Sequence, residues 1–162
     1  IDLRNYHERT HSVEKAIYET WIEDIDGNLC STAMMGGRLT FCFRFAASRS
    51  IHTPGFGVGI EDIHGRRLFS ANNYIMRDNN VYGTPSCQSG VVKCTFDSLP
   101  LFPGTYYASI ALVENERFII DYIERILLFH VEPSNILGTG KIFEASQGIF
   151  FIAAHIELEK LC

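Results

Sequence analysis

The sequence predicts an all-β fold in which two antiparallel sheets pack face to face. Three observations predict it. Apolar residues recur with period 2 in about eight separate runs, turn-forming residues divide those runs, and a helical period of 3.6 is almost absent. Twelve Phe and seven Tyr, residues that suit a pleated surface, agree with this. The chain has 162 residues, 46% of them apolar and 20% charged, which is a globular balance. A chain of this length buries about 70% of the surface it exposes when unfolded, so it needs no metal or disulfide to hold it.

Residues 1–13 are polar without sustained periodicity and read as a linker or N-terminal extension. Residues 14–162 read as one sandwich domain. Residues 15–25 alternate imperfectly, with Ile17, Trp21 and Ile25 set against Tyr18, Thr20 and Ile22. They stop at Asp26-Gly27-Asn28, a turn signal. Over 38–46 the alternation is clean: Leu39, Phe41, Phe43 and Phe45 face in, Thr40, Cys42 and Arg44 face out. Phe56-Gly57-Val58-Gly59-Ile60 alternates as far as His64-Gly65, and Arg66-Arg67-Leu68-Phe69 returns, which predicts a hairpin. The span 71–90, rich in Asn, Gly, Ser and Pro, reads as a long loop.

Val92, Cys94 and Phe96 form the inner face of the next strand, with Lys93 and Thr95 outside. Pro100, Pro103 and Gly104 interrupt it. Tyr106, Ala108, Ile110 and Leu112 then face in, with Tyr107, Ser109 and Ala111 out. Tyr106, just after Pro103-Gly104, reads as a buried corner tyrosine whose hydroxyl bonds back to the main chain. Residues 117–131 predict a long or bent strand, and 134–148 a loop. Residues 149–159 form a final apolar run. If Ile149-Phe150-Phe151-Ile152 were an exposed edge it would be an aggregation hazard, so a partner's sheet is expected to cover it in a symmetric homodimer.

Charge and motifs exclude several function classes. A net charge of −5 with no Lys/Arg cluster argues against nucleic acid and anionic membranes as partners. No apolar run reaches the length of about 18 needed to cross a bilayer. The chain opens Ile1-Asp2-Leu3 without Met or a signal peptide and reads as a piece of something longer. Cys30, Cys42, Cys87, Cys94 and Cys162 are odd in number and lack CxxC spacing. That predicts free thiols in a reducing compartment and no structural disulfide.

His7-Glu8-Arg9-Thr10-His11 spells the zinc motif H-E-x-x-H, but in a polar leader rather than a buried helix, so no zinc is expected. Gly138-Thr139-Gly140-Lys141 fails the phosphate-loop pattern at both ends. No G-x-S-x-G elbow occurs. No cofactor is implied. The outward residues Arg44, Glu61, Lys93, Tyr107 and Ser109 suit either an ordinary solvated sheet face or a sugar-binding one. In the sugar-binding reading Tyr107 stacks, Ser109 and Glu61 take hydroxyls, and Arg44 meets an acidic or phosphorylated end group. Trp21 is a second stacking candidate, although core burial is its more ordinary role.

The order of motifs resembles the C-terminal domain of Wzt-type ATP-binding subunits of O-antigen ABC transporters. The residues concerned are Trp21-Ile22-Glu23-Asp24-Ile25-Asp26-Gly27, Phe56 through Gly65, and Asn72-Asn73. Leu99-Pro100-Leu101-Phe102-Pro103-Gly104-Thr105-Tyr106 and Phe129-His130-Val131-Glu132 complete the set. The resemblance spans about residues 14 to 157. It implies an immunoglobulin-like sandwich behind a nucleotide-binding domain and a membrane transporter subunit, in the cytoplasm at the inner-membrane face. It further implies binding of a finished, end-modified O-antigen polysaccharide without catalysis, and a homodimer that exchanges its C-terminal strand. It carries over no site residues. A polysaccharide lyase or hydrolase, and a purely structural dimerisation domain, are the alternatives. An enzyme would shorten or modify the glycan, and a structural domain would show no affinity for it.

Overall fold

The structure, a computed structural model, describes residues 1–9, 11–76 and 86–152. Among these are eight strands: β1 Ile17–Glu23, β2 Thr32–Met34, β3 Leu39–Ile51, β4 Pro54–Asp62, β5 Arg67–Asn72, β6 Cys87–Phe96, β7 Gly104–Glu114 and β8 Phe118–Glu132. A one-turn helix, α1, covers Asn73–Met76. The strands form a three-stranded sheet in the order β1-β3-β6 and a five-stranded sheet in the order β2-β8-β7-β4-β5. All pairs are antiparallel except β2 with β8.

The inner faces follow the alternation. Phe41, Phe43 and Phe45 of β3 meet Phe56 of β4 and Phe129 of β8 across the sandwich. Ring centroids are 5.3 Å apart for Phe41–Phe129 and 5.6 Å for Phe45–Phe56. Tyr106, Ala108, Ile110 and Leu112 of β7 are all buried. The Tyr106 hydroxyl donates to the Phe102 carbonyl at 2.9 Å, the corner geometry expected from Pro103-Gly104.

Three expectations need correction. In β1 the register slips between Ile17 and Glu19, so Ile17, Thr20 and Ile22 all face the core and Trp21 is left outside. One irregular residue reverses the phase of every side chain after it, which simple alternation does not foresee. The span 71–90 is not all loop. β5 runs to Asn72, α1 follows, and β6 starts at Cys87, where its polar outer residues extend the pairing with β3. Nor is the run from Ile149 a bare edge. Phe102 N–H donates to the Ile149 carbonyl and Phe151 N–H to the Pro100 carbonyl, so this segment pairs with its own chain. The rest of that run, residues 153–162, lies outside the described residues.

Residues 1–9 are tied to the body rather than trailing from it. Leu3 N–H donates to Tyr18 O, Thr20 N–H donates to Ile1 O, and Leu3 is fully buried. Arg9 forms an ion pair with Asp121 in which both side chains are almost completely buried. Asp121 also accepts from Ile17 N–H and Ser12 Oγ, at 2.8 Å each, so its remaining lone pairs are satisfied. At the far end of β7, Glu114 is clamped by Arg49 through two bonds of 2.7 Å and by His52 N–H at 2.8 Å. The Arg49 bonds first, then the His52 N–H, hold its carboxyl down at about 2.

Two outcomes follow. Asp121→Ala leaves a buried guanidinium unpaired and is expected to cost about 3–5 kcal/mol in urea unfolding. Glu114 binds a proton less readily folded than unfolded. Its contribution is therefore whole above the ordinary glutamate value near 4.5 and is lost as pH falls toward about 2. Between pH 5 and pH 3 the urea midpoint of the native chain should drop further than that of Glu114→Gln.

Candidate functional site

Strand β4 decides the outer surface of the five-stranded sheet. Pro54, Phe56, Val58 and Ile60 point into the core, so Gly55, Gly57, Gly59 and Glu61 point out. Three glycines in a row of four outward positions leave a strip of bare backbone. The flanking strands set what borders it. Opposite Gly57 lie Asn72 of β5 and Ala111 of β7, and Ala111 in turn faces Tyr122 of β8. Opposite Gly59 lie Ser70 and Ser109. Tyr74 comes from α1, which Asn73 anchors by accepting from Phe56 N–H at 2.7 Å. The result is a groove of about 140 Å³ with the glycine strip as its floor.

Space along the floor is uneven. A Cβ built on Gly59 would lie 2.0 Å from the Arg67 guanidinium, so that side chain lies flat across Gly59 and only glycine fits beneath it. A Cβ on Gly57 would meet nothing nearer than 3.6 Å, which makes this the open middle of the groove.

The groove's polar end is built around Glu61, which is 5% exposed. Arg67 donates to Glu61 Oε1 through Nε at 3.1 Å and Nη2 at 2.7 Å, and Ser109 Oγ donates to the same oxygen at 2.8 Å. Arg67 Nη2 also donates to the Tyr122 hydroxyl at 2.8 Å, and Nη1 to Ser70 Oγ at 3.2 Å. Burial opposes the Arg67 charge, but the bonds to Glu61 and Tyr122 outweigh it and raise the guanidinium above its ordinary value.

Ser109 Oγ accepts from Arg125 N–H at 2.9 Å. Arg125 sits at an irregularity in the β7–β8 pairing, with φ of 50°. Its guanidinium lies 4.1 Å from the centre of the Tyr107 ring, and Nη2 donates to Ile63 O.

The structure divides the five residues selected from sequence. Glu61, Tyr107 and Ser109 share the outer face of the five-stranded sheet. Trp21 and Arg44 lie on the outer face of the other sheet, across the core, so the five do not form one surface. Ser109 is 1% exposed and Glu61 is buried with it. Glu61 accepts from Arg67, and Ser109 bonds both Glu61 and the Arg125 amide. Tyr107 is half-buried beneath Arg125. Arg44 pairs with Glu19 and stands over the Trp21 ring, 5.0 Å from its centre. Trp21 Nε1 donates to Glu23, which also binds Lys93.

Arg67, Ser70, Asn72, Tyr74 and Tyr122 line the groove and are not among the residues selected from sequence. The signal for them was present in Gly57-Val58-Gly59, where glycine at alternate positions announces a face without side chains.

Residues 7–9 and 11 of the H-E-x-x-H motif lie outside any helix. Arg9 from its middle is committed to Asp121, and Thr10 lies outside the described residues. Among the described residues no group of three His, Cys, Asp or Glu is placed to hold a metal ion. Cys30, Cys42, Cys87 and Cys94 are free thiols. Burial pushes Cys42 up to about 12 and Cys94 to about 11, which disfavours their thiolates. Cys162 lies outside the described residues. No helix among them is long and apolar enough to cross a membrane.

The family model described as the Wzt C-terminal domain matches residues 7–149. Among solved structures, the chain is similar to a crystal structure of the C-terminal domain of Wzt. The TM-score is 0.77 at 15% identity, over 96% of this chain and 90% of that one, a likeness that carries the fold. A comparison with curated proteins finds no match. With 143 of its 162 positions inside the family match, the chain belongs to the Wzt C-terminal domain family.

Proposed function

We propose that the domain binds O-antigen polysaccharide, without catalysis, in the glycine-floored groove of the five-stranded sheet. The observation that carries this is the open backbone at Gly57 between Tyr122 and Tyr74, with Arg67, Ser70 and Asn72 alongside. Aromatic rings take the apolar face of a pyranose, and fixed polar groups take its hydroxyls. Rigid strands and the Glu61–Arg67–Ser109 network hold those groups before any ligand arrives, which lowers the ordering cost of binding.

In this reading the domain works in the cytoplasm at the inner-membrane face. A nucleotide-binding domain and a membrane transporter subunit would complete the exporter. Family membership supports that setting. A homodimer joined through the C-terminal segment belongs to the same proposal. Its support is Ile152, 81% exposed at the end of the described segment.

Gly57→Val tests the site. A Cβ at Gly57 meets only ordinary contacts, so the fold should be kept while the added methyl groups fill the groove. By calorimetry against O-polysaccharide from the organism that encodes the chain, the variant should lose at least about 10-fold in affinity, equivalent to about 1.4 kcal/mol. Its melting temperature should stay within a few degrees. Unchanged affinity in the folded variant would place the site elsewhere.

A further inference from the structure

Tyr122 borders the groove, and a short stretch of regular pairing holds it. β8 is irregular on both sides of it. The β7–β8 register shifts between Leu112 and Val113, opposite Asp121 and Ile119, and again between Ala108 and Ile110, opposite Leu127 and Ile123. Between these shifts Asp121, Tyr122 and Ile123 keep step with Leu112, Ala111 and Ile110. The other neighbour of β8 is β2, which pairs with it through His130, Val131 and Glu132, at the far end of the strand. So short a stretch, with its outer edge away from β2, is weakly specified by its ladder.

The polar leader takes that edge. Val13 N–H and Glu14 N–H both donate to Ile120 O, at 2.9 and 3.1 Å. Ser12 Oγ accepts from Tyr122 N–H at 2.9 Å and donates to Asp121 Oδ1 at 2.8 Å. Arg9, ion-paired with Asp121, also donates to Leu3 O at 3.0 Å and to Ile17 O at 2.8 Å, which ties this grip to the first residues and to β1. On the groove side the Tyr122 hydroxyl accepts from Arg67 Nη2 at 2.8 Å. Ser12, Tyr122, Arg67 and Glu61 are thus joined in sequence by hydrogen bonds.

We infer that Ser12 is a positioning residue of the groove. Seated, the leader fixes the Tyr122 backbone, and with it the ring that borders the groove and the hydroxyl that steadies Arg67 across Gly59. Unseated, Tyr122 keeps its β7 pairing and Arg67 loses a fixed partner. A ligand that needs the seated arrangement stabilises the seat in return, because coupling between two sites is reciprocal. The effect on affinity rests on the glycan reading above, and the placement of Tyr122 does not.

Ser12→Ala removes the grip but leaves Asp121 with Arg9 and Ile17 N–H, so the fold should be kept. Thr20→Val is the control. It deletes a buried hydroxyl of the other sheet, one that donates to Cys42 O at 2.8 Å, and a mere loss of stability would act alike in both variants. The first readout needs no ligand. Water exchange of the Arg67 Nε–H, followed by nitrogen-15 NMR, should quicken at least about 5-fold in Ser12→Ala, the worth of one hydrogen bond, and stay within about 2-fold of native in Thr20→Val. The second is calorimetric affinity for the O-polysaccharide, which should fall at least about 5-fold in Ser12→Ala and hold in Thr20→Val. In the native chain, saturating polysaccharide should slow amide exchange at Val13 and Glu14.

Arg67 exchange that is unchanged in Ser12→Ala, or equally quickened in Thr20→Val, overturns the inference. Where Gly57→Val has lost binding, two further results overturn it and leave the glycan reading standing. One is unaltered affinity in Ser12→Ala, and the other is Val13 and Glu14 amides indifferent to the polysaccharide. Full binding in a folded Gly57→Val overturns the glycan reading instead, and Arg67 exchange then decides the placement of Tyr122 by itself.

Discussion

A carboxylate that is 5% exposed on the outer face of a sheet sets the conditions for its surroundings. A carboxylate there needs a charged partner and hydrogen bonds. Arg67 and Ser109 supply them from the strands on either side, all to Oε1. Arg67 can do so only by lying across β4, and it can lie across β4 only because Gly59 has no side chain. Its other donors reach Tyr122 and Ser70. Ser109 in turn fixes the Arg125 amide at the irregularity of β8. One buried charge thus joins β4, β5, β7 and β8 and fixes the polar end of the groove.

The outer face of the other sheet works differently. Glu19 with Arg44, and Glu23 with the exposed Lys93, form surface ion pairs around a half-buried Trp21. Such pairs contribute about 0–1 kcal/mol each and keep the surface solvated. No bare strip of backbone occurs there, because Thr40, Cys42 and Arg44 occupy the outward positions of β3. The two faces share one core yet offer opposite surfaces, the first hollow and the second filled.

The inner half of the fold was legible because alternation is a local property. Leu39 to Phe45 and Tyr106 to Leu112 fill the core as their period requires. Trp21 was misplaced because a slip near Ile17 reverses the phase of β1, and nothing in the adjacent residues marks it. Arg44 was grouped with Tyr107 because alternation gives the direction of a side chain and is silent on which sheet a strand joins. Here β3 pairs with β1 and β6, in the sheet opposite its sequence neighbour β4. Glu61 and Ser109 lie on the side that alternation assigns them, but buried rather than exposed. Their burial depends on Arg67, whose position opposite Glu61 follows from an irregular hairpin register. Asn72 and Tyr74 were hidden in a stretch whose composition reads as loop.

The central claim is that the glycine strip of β4 is where the polysaccharide lies. Mapping backbone amide shifts of the intact chain as O-polysaccharide is added tests it most directly. The largest changes should fall at Gly57, Gly59, Ser70, Asn72 and Ala111, with the three-stranded sheet nearly silent. Changes concentrated at Trp21, Cys42 and Lys93, with Gly57 and Gly59 unmoved, would contradict it.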